Sequence, residues 1–224
     1  MRRLAAAGAC AAVCGLNASA AHAQTAMDGG RFEVAVGVTW TGSLSLGTVA
    51  AMETAPSAGF TLFSTSTELA AAPGIEASVG VRLTPVFEVE GSSSYAQPRL
   101  QTAVSGDFEN GAPVTASNTL HQYSVDGAVV ANITRWRMGS RATPFALAGA
   151  GYLREVYEGG TLAVTGQTYF AGGGIKYLLT SRPHGLKGVG LRADVRALAR
   201  RKGVAFDTHL RTSPVVAASL FVKF

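Results

Sequence analysis

The chain has 224 residues, 47% of them hydrophobic and only 15% charged, with 27 glycines. A disordered chain needs the opposite balance, so disorder is excluded. The net charge of +5 falls to about +3 once Arg2 and Arg3 are set aside, too little to support a nucleic-acid partner.

Residues 1–23 read as a secretory signal peptide. Arg2 and Arg3 form its charged start, Leu4 to Gly15 its apolar stretch, and Ala21-His22-Ala23 matches the small-residue cleavage pattern. The mature chain, residues 24–224, is expected to begin at Gln24. The apolar run is too short for a membrane anchor, and Asn17 breaks the sequence just beyond it. A lipoprotein signal fits poorly, because Val13 precedes Cys14. Cys10 and Cys14 are the only cysteines. The mature chain therefore has neither a disulfide scaffold nor a cysteine-based zinc site.

After Gln24 the pattern is period-2 alternation, the mark of strands with two unlike faces. Phe32-Glu33-Val34-Ala35-Val36-Gly37-Val38-Thr39-Trp40 is the clearest case, with every even position large and apolar. Strands are expected at 31–41, 74–83, 86–96, 119–134, 144–155, 167–178, 189–199 and 209–224. Most have about the 9–11 residues that a tilted strand needs to cross a bilayer. The connections 42–73, 97–118, 156–166 and 200–208 are long, and 84–85, 135–143 and 179–188 are shorter. That alternation is the pattern of an outer-membrane barrel with periplasmic turns.

Charge sorts by parity. Taking the apolar parity of each strand as outward gives 42 outward positions without a charged residue, whereas eleven of the 34 inward positions are charged. The inward charges are Glu33, Glu76, Arg82, Glu88, Glu90, Asp126, Lys176, Arg192, Asp194, Arg196 and Lys223. An Arg or Lys on the lipid face at mid-membrane costs about 2–4 kcal/mol, which explains the segregation. A water-soluble barrel would put its apolar side chains inside. Outward aromatics are expected in two girdles, Phe32, Phe87, Phe145, Tyr177 and Phe224 at one end and Trp40, Tyr95, Tyr123 and Tyr169 at the other.

These features resemble the small outer-membrane β-barrel family, similar to the transmembrane domain of outer-membrane protein A and its single-domain relatives. The signal peptide, the loop alternation and the C-terminal Ser219-Leu220-Phe221-Val222-Lys223-Phe224 carry the resemblance. It implies an all-β, eight-stranded antiparallel up-and-down transmembrane barrel in the outer membrane of a Gram-negative bacterium. It also implies that Leu220, Val222 and Phe224 form an assembly signal for the barrel-assembly machinery, served by periplasmic chaperones. Outer-membrane lipid and lipopolysaccharide are the expected surroundings. No peptidoglycan-binding domain follows the barrel pattern, so a cell-wall tether is not expected.

An eight-stranded barrel is just wide enough to be filled by its own side chains, so the inward charges are expected to pair and close the lumen. Glu88 and Glu90 share a face, as do Arg192, Asp194 and Arg196. His121 and Ser124 have a spacing that splits them between faces, and His184 and His209 fall in connections. No catalytic set, metal ligands or cofactor is expected. Gly172-Gly173-Gly174 lies within a strand, where it lets the wall bend or pack closely. Binding is expected in the long loops 42–73 and 97–118, toward a host surface, a phage or lipopolysaccharide. The reading is a non-enzymatic surface protein. The alternatives are a narrow porin-like channel and, third, a lipid A-modifying enzyme.

Overall fold

The computed structural model describes residues 30–54, 59–105, 114–136, 141–158, 162–181, 186–203 and 210–224. The cleavage residues Ala21 and Ala23, together with His184, Asp207 and His209, lie outside them. In chain order the strands are β1 (Phe32–Thr41), β2 (Leu44–Thr54), β3 (Gly59–Leu69), β4 (Ala72–Arg82), β5 (Phe87–Ala96) and β6 (Arg99–Ser105). They continue with β7 (Val114–Asn132), β8 (Ala142–Tyr157), β9 (Ala163–Ser181), β10 (Gly188–Lys202) and β11 (Arg211–Lys223).

Eight of these close a barrel in the order β1-β4-β5-β7-β8-β9-β10-β11, every pairing antiparallel. The last strand returns to the first, with Val36 beside Leu220 on one side and Ala77 on the other. Closure pairs the backbone of both terminal strands and removes the free edge that an open sheet would present.

Seven barrel strands face as their charge pattern requires. Val34, Val36, Val38, Ile75, Val79, Val125, Val195 and Leu220 stand outward and exposed, while the charged parity is turned inward. The fold needs that inversion because charges are tolerable only where partners or water can reach them.

β8 is a correction. Phe145, Leu147 and Leu153 point into the barrel and are almost fully buried, whereas Ala146, Ala148, Ala150 and Tyr152 face outward. The residues 145–153 carry no charge on either parity, so the rule that large side chains face lipid had nothing to check it. The lumen decides instead. Phe145 and Leu147 pack with Ala128, Val130 and Phe170, filling the wall opposite the charged strands. Glycines at 149 and 151 admit their neighbours: a Cβ on Gly149 would meet the Phe170 ring at 2.5 Å, and one on Gly151 would overlap the Asp126 carboxylate. Phe145 therefore leaves the turn-end girdle, and Tyr152 joins the loop-end one.

The connections 42–73 and 97–118, expected as loops, hold strands as well. β2 and β3 form a hairpin, β3 pairs with β6, and β6 pairs with the first part of β7. This second sheet grows from the barrel wall through β7, which is 19 residues long and pairs first with β6 and then with β5. Its Thr- and Ser-rich sequences pair with like residues across the strands, as at Thr67–Thr102 and Ser64–Ser105. β2 takes a bulge at Ser45/Gly47, where Gly47 has a φ of 123° that a residue with a Cβ rarely adopts.

Candidate functional site

Two features could carry function, the interior of the barrel and the sheet beyond its loop-end rim. Inside, the charged strands β1, β4, β5, β9 and β10 aim alternate residues at one another across the lumen. Lys176 on β9 reaches Glu33 on β1 at 2.6 Å and Glu88 on β5 at 3.0 Å, and Lys223 approaches Glu33 at 3.6 Å. Nearer the loop end, Arg192 pairs with Glu90 and donates its Nε to Asp194 at 3.1 Å. Asp194 also accepts from Arg196 Nε at 2.5 Å. Arg196 closes the tier with a two-pronged contact to Glu76, at 2.9 and 2.8 Å.

Lys176 with Glu33 and Glu88, Arg192 with Glu90, and Arg196 with Glu76 join strands that are not neighbours, whereas Lys223 and Glu33 face each other on the paired β11 and β1. β10 and β5 are four places apart in the closed order, so the Arg192–Glu90 pair spans the full width of the lumen. Such bridges tie opposite walls together. They also explain the packing of cations over rings, with the Arg192 guanidinium 4.7 Å from the Phe145 ring centre and Arg196 5.7 Å from Phe170.

Asp126 is matched by hydroxyls instead of a cation. Ser124 and Thr168 both donate to it at 2.6 Å, and Ser124 also shares a hydrogen bond with Ser94 at 2.8 Å. Two further buried charges escaped the sequence reading. Arg200 lies 3.8 Å from Glu155 and beside the Gln122 amide, which accepts from it at 2.8 and 3.1 Å once turned with its oxygen toward the guanidinium. Arg200 stands on the same parity of β10 as Arg192 and Arg196, and that continuation is the signal that could have found it.

A cavity of about 60 Å³ remains between the Glu76–Arg196 pair and Arg200, room for a few waters. Above it Leu44, Leu69 and Leu120 are buried against one another, with Leu46, Leu100 and Tyr157 around them. The base of the β2–β3 hairpin, where Leu44 pairs with Leu69, thus corks the rim. The sheet they continue into presents Val49, Met52, Phe63 and Val114 to solvent. The described residues of the connections 42–73 and 97–118 therefore form a braced platform on a closed barrel.

The other sequence candidates do not converge. His121 shares a hydrogen bond with the Tyr95 hydroxyl at 2.8 Å and stacks on its ring on the outer wall. Ser124 faces the lumen, so the two stay apart. Glu88 and Glu90 do share a face but are each committed to a cation. Among the described residues no cluster of His, Cys, Asp or Glu has metal-binding geometry. Leu220 and Phe224 stand exposed on the outer wall beside β1, with Val222 half-exposed between them.

The fold has solved counterparts. Neisserial surface protein A superposes with a TM-score of 0.52 at 16% identity, over 86% of this chain and 97% of that one. The outer membrane protein OprG from Pseudomonas aeruginosa does so at 0.52 and 12%, over 88% and 96%. At such identities the likeness is one of fold. No curated protein sequence matches the chain significantly. The family model for the outer membrane protein beta-barrel domain, however, matches residues 8–212. With that match over most of its length and a closed barrel of outward apolar and inward charged residues, the chain belongs to the outer membrane β-barrel domain family.

Proposed function

We propose that the chain is a non-enzymatic outer-membrane surface protein of a Gram-negative bacterium, a closed barrel that displays the β2–β3–β6–β7 sheet outside the cell. The observation that carries this reading is the division of labour along the barrel axis. Cross-lumen ion pairs and the Leu44–Leu69–Leu120 cork fill the inside, while the ordered chain beyond the rim has no part in closing the wall. The sheet's occupant is a surface ligand, lipopolysaccharide or a host molecule, and the barrel contributes to envelope integrity as its anchor.

Export would use residues 1–23, with cleavage after Ala21-His22-Ala23. Periplasmic chaperones and the barrel-assembly machinery would then insert residues 24–224 through Leu220, Val222 and Phe224. Short turns facing the periplasm and the longer connections facing out set the orientation.

Two measurements test the reading together. Planar bilayers holding the refolded chain are expected to stay non-conducting, and replacing residues 44–69 by a short turn is expected to abolish whole-cell binding while leaving a folded barrel. Steady single-channel current through the intact chain would replace this function with that of a channel. Unchanged binding by the replaced variant would remove the sheet from it.

A further inference from the structure

The turn end of the barrel is chemically unlike the loop end. The turn segments 84–86, 133–143 and 179–188 contain Arg135, Arg137, Arg141, Arg182 and Lys187, and no Asp or Glu. The long connections, by contrast, carry Glu53, Glu68, Asp107, Glu109, Glu158 and Asp207 among their charges. Among the described residues, Arg135, Arg141 and Lys187 thus place positive charge at one mouth of a barrel whose membrane wall is neutral.

Within that mouth lies a cavity of about 200 Å³, lined by Arg82, Asn132, Thr143, Lys176, Lys187 and Lys223 among others. The side-chain acids paired with these cations among the described residues are Glu33 and Glu88, and both face Lys176, with Lys223 sharing Glu33. Two side-chain acids therefore answer four cations, Arg82, Lys176, Lys187 and Lys223, and neither acid is paired with Arg82 or Lys187. Arg82 stands opposite Glu88 in register, yet among the described residues it forms no ion pair within 4.0 Å.

Two donors at this site are orphaned. Asn132 is 6% exposed, and its Nδ2 has no hydrogen-bond partner among the described residues. The same holds for the buried Nε of Arg82. Buried donors are nearly always satisfied, and leaving one bare costs about 1–3 kcal/mol. Here both belong to side chains that line a cavity with excess positive charge. An acceptor-rich anion would satisfy both and balance Arg82 and Lys187 together.

We propose that the turn-end mouth, built from Arg82, Asn132, Lys187 and Lys223, is a binding site for a phosphate-bearing anion. The group required is compact, carries one or two negative charges and offers several acceptor oxygens, since the donors converge from β4, β7, β11 and the segment leading into β10. A phospholipid headgroup from the adjoining leaflet and free phosphate both supply it. The headgroup source rests on the membrane reading above, and the free source does not.

The test uses the full mature chain refolded in zwitterionic phosphatidylcholine bilayers, with the Asn132 side-chain amide followed by NMR. Inorganic phosphate is titrated in one arm, with chloride at equal ionic strength as control, and vesicles doped with phosphatidylglycerol form the other. Saturable movement of the Asn132 amide in either arm, absent with chloride, is expected, and the arm that responds identifies the source. Lys187→Gln should weaken that response roughly tenfold or more, as loss of a charge-assisted contact does. Lys187 lies at the rim, so this variant keeps the folded barrel when Arg82→Gln does not. No saturable shift in either arm, or an equal one with chloride, overturns the site. An undiminished response in Lys187→Gln overturns it as well.

Discussion

Arg196→Met tests whether the lumen is held by its ion pairs. Arg196 donates hydrogen bonds to two carboxylates, Glu76 and Asp194, and its head is buried. Methionine keeps an unbranched chain of adaptable shape but leaves both acids short of a cation. Breaking one side of a buried pair costs about 3–5 kcal/mol. Glu76 borders the cavity of about 60 Å³, where water can partly rehydrate it, and Asp194 still has Arg192. Both facts place the loss near the lower bound, about 3 kcal/mol. Glu76→Gln alone should cost less, about 1–2 kcal/mol, because it removes a charge and leaves an acceptor. The double variant should be more stable than the two losses summed, by about 1.5–2 kcal/mol, since the second substitution deletes an acid already stranded. Urea titration in lipid vesicles, read by the heat-dependent shift of folded barrel on electrophoresis, measures all three. Strict additivity, or a loss under about 0.5 kcal/mol for Arg196→Met, would show that the pairs contribute little and that the apolar wall alone fixes the barrel.

Three further outcomes are expected. Ala148→Arg, on the outward face of β8 midway along its pairing with β7 and β9, should cost about 2–4 kcal/mol in the same titration; a silent substitution would return β8 to the opposite parity. Val49→Cys should react with an impermeant maleimide on intact cells and Thr84→Cys should not, and the reverse would invert the orientation. Residues 24–224 contribute no cysteine of their own to that background. Deleting Phe224 should lower the amount of heat-modifiable barrel in the outer membrane, and normal levels would remove it from the assembly signal.

What the sequence reveals depends on whether charge marks a face. In β1, β4, β5, β9 and the part of β10 up to Arg200 one parity carries Asp, Glu, Lys or Arg, and burial follows it at Glu33, Glu88, Glu90, Lys176, Arg192 and Asp194. In β8 the side chains from 145 to 153 are uncharged, and Arg154 and Glu155 then place charge on both parities at once. Only the volume of the lumen distinguishes the faces there, and volume is a property of the assembled barrel. The β2–β3–β6 sheet was hidden for a different reason. Its strands are runs of Ser, Thr and Ala with little contrast between faces, so period-2 alternation is weak although Thr and Val favour extended backbone. The pairing partners across the lumen were out of reach as well. Parity says that Arg192 and Glu90 both point inward; that they meet follows from closing eight strands into a ring.

The depth of the membrane can be read along a single strand. Phe32, Val34, Val36, Val38 and Trp40 form the outward face of β1, all exposed. Eight residues of strand at about 3.4 Å each span about 27 Å. A tilt of about 40° reduces that to roughly 21 Å along the barrel axis, close to the apolar band of about 25 Å. The aromatic residues at each end then sit at headgroup level, and Val36 sits at the midplane. Arginine placed at the three valines in turn should therefore give a peaked cost. The loss at Val36 should be about 2–4 kcal/mol, with smaller losses at Val34 and Val38, because a long side chain nearer the interface can carry its charge to water. A barrel surrounded by water predicts otherwise: exposed valines exchanged for arginine would each shift stability by no more than about 0.5 kcal/mol, with no dependence on position. Refolding titrations of the three variants in phosphatidylcholine bilayers separate the two cases. A flat profile would mean that this face meets no hydrocarbon, and that the outward apolar surface needs another explanation. A peak displaced toward Val34 or Val38 would keep the membrane and shift its midplane, along with the height of both aromatic girdles.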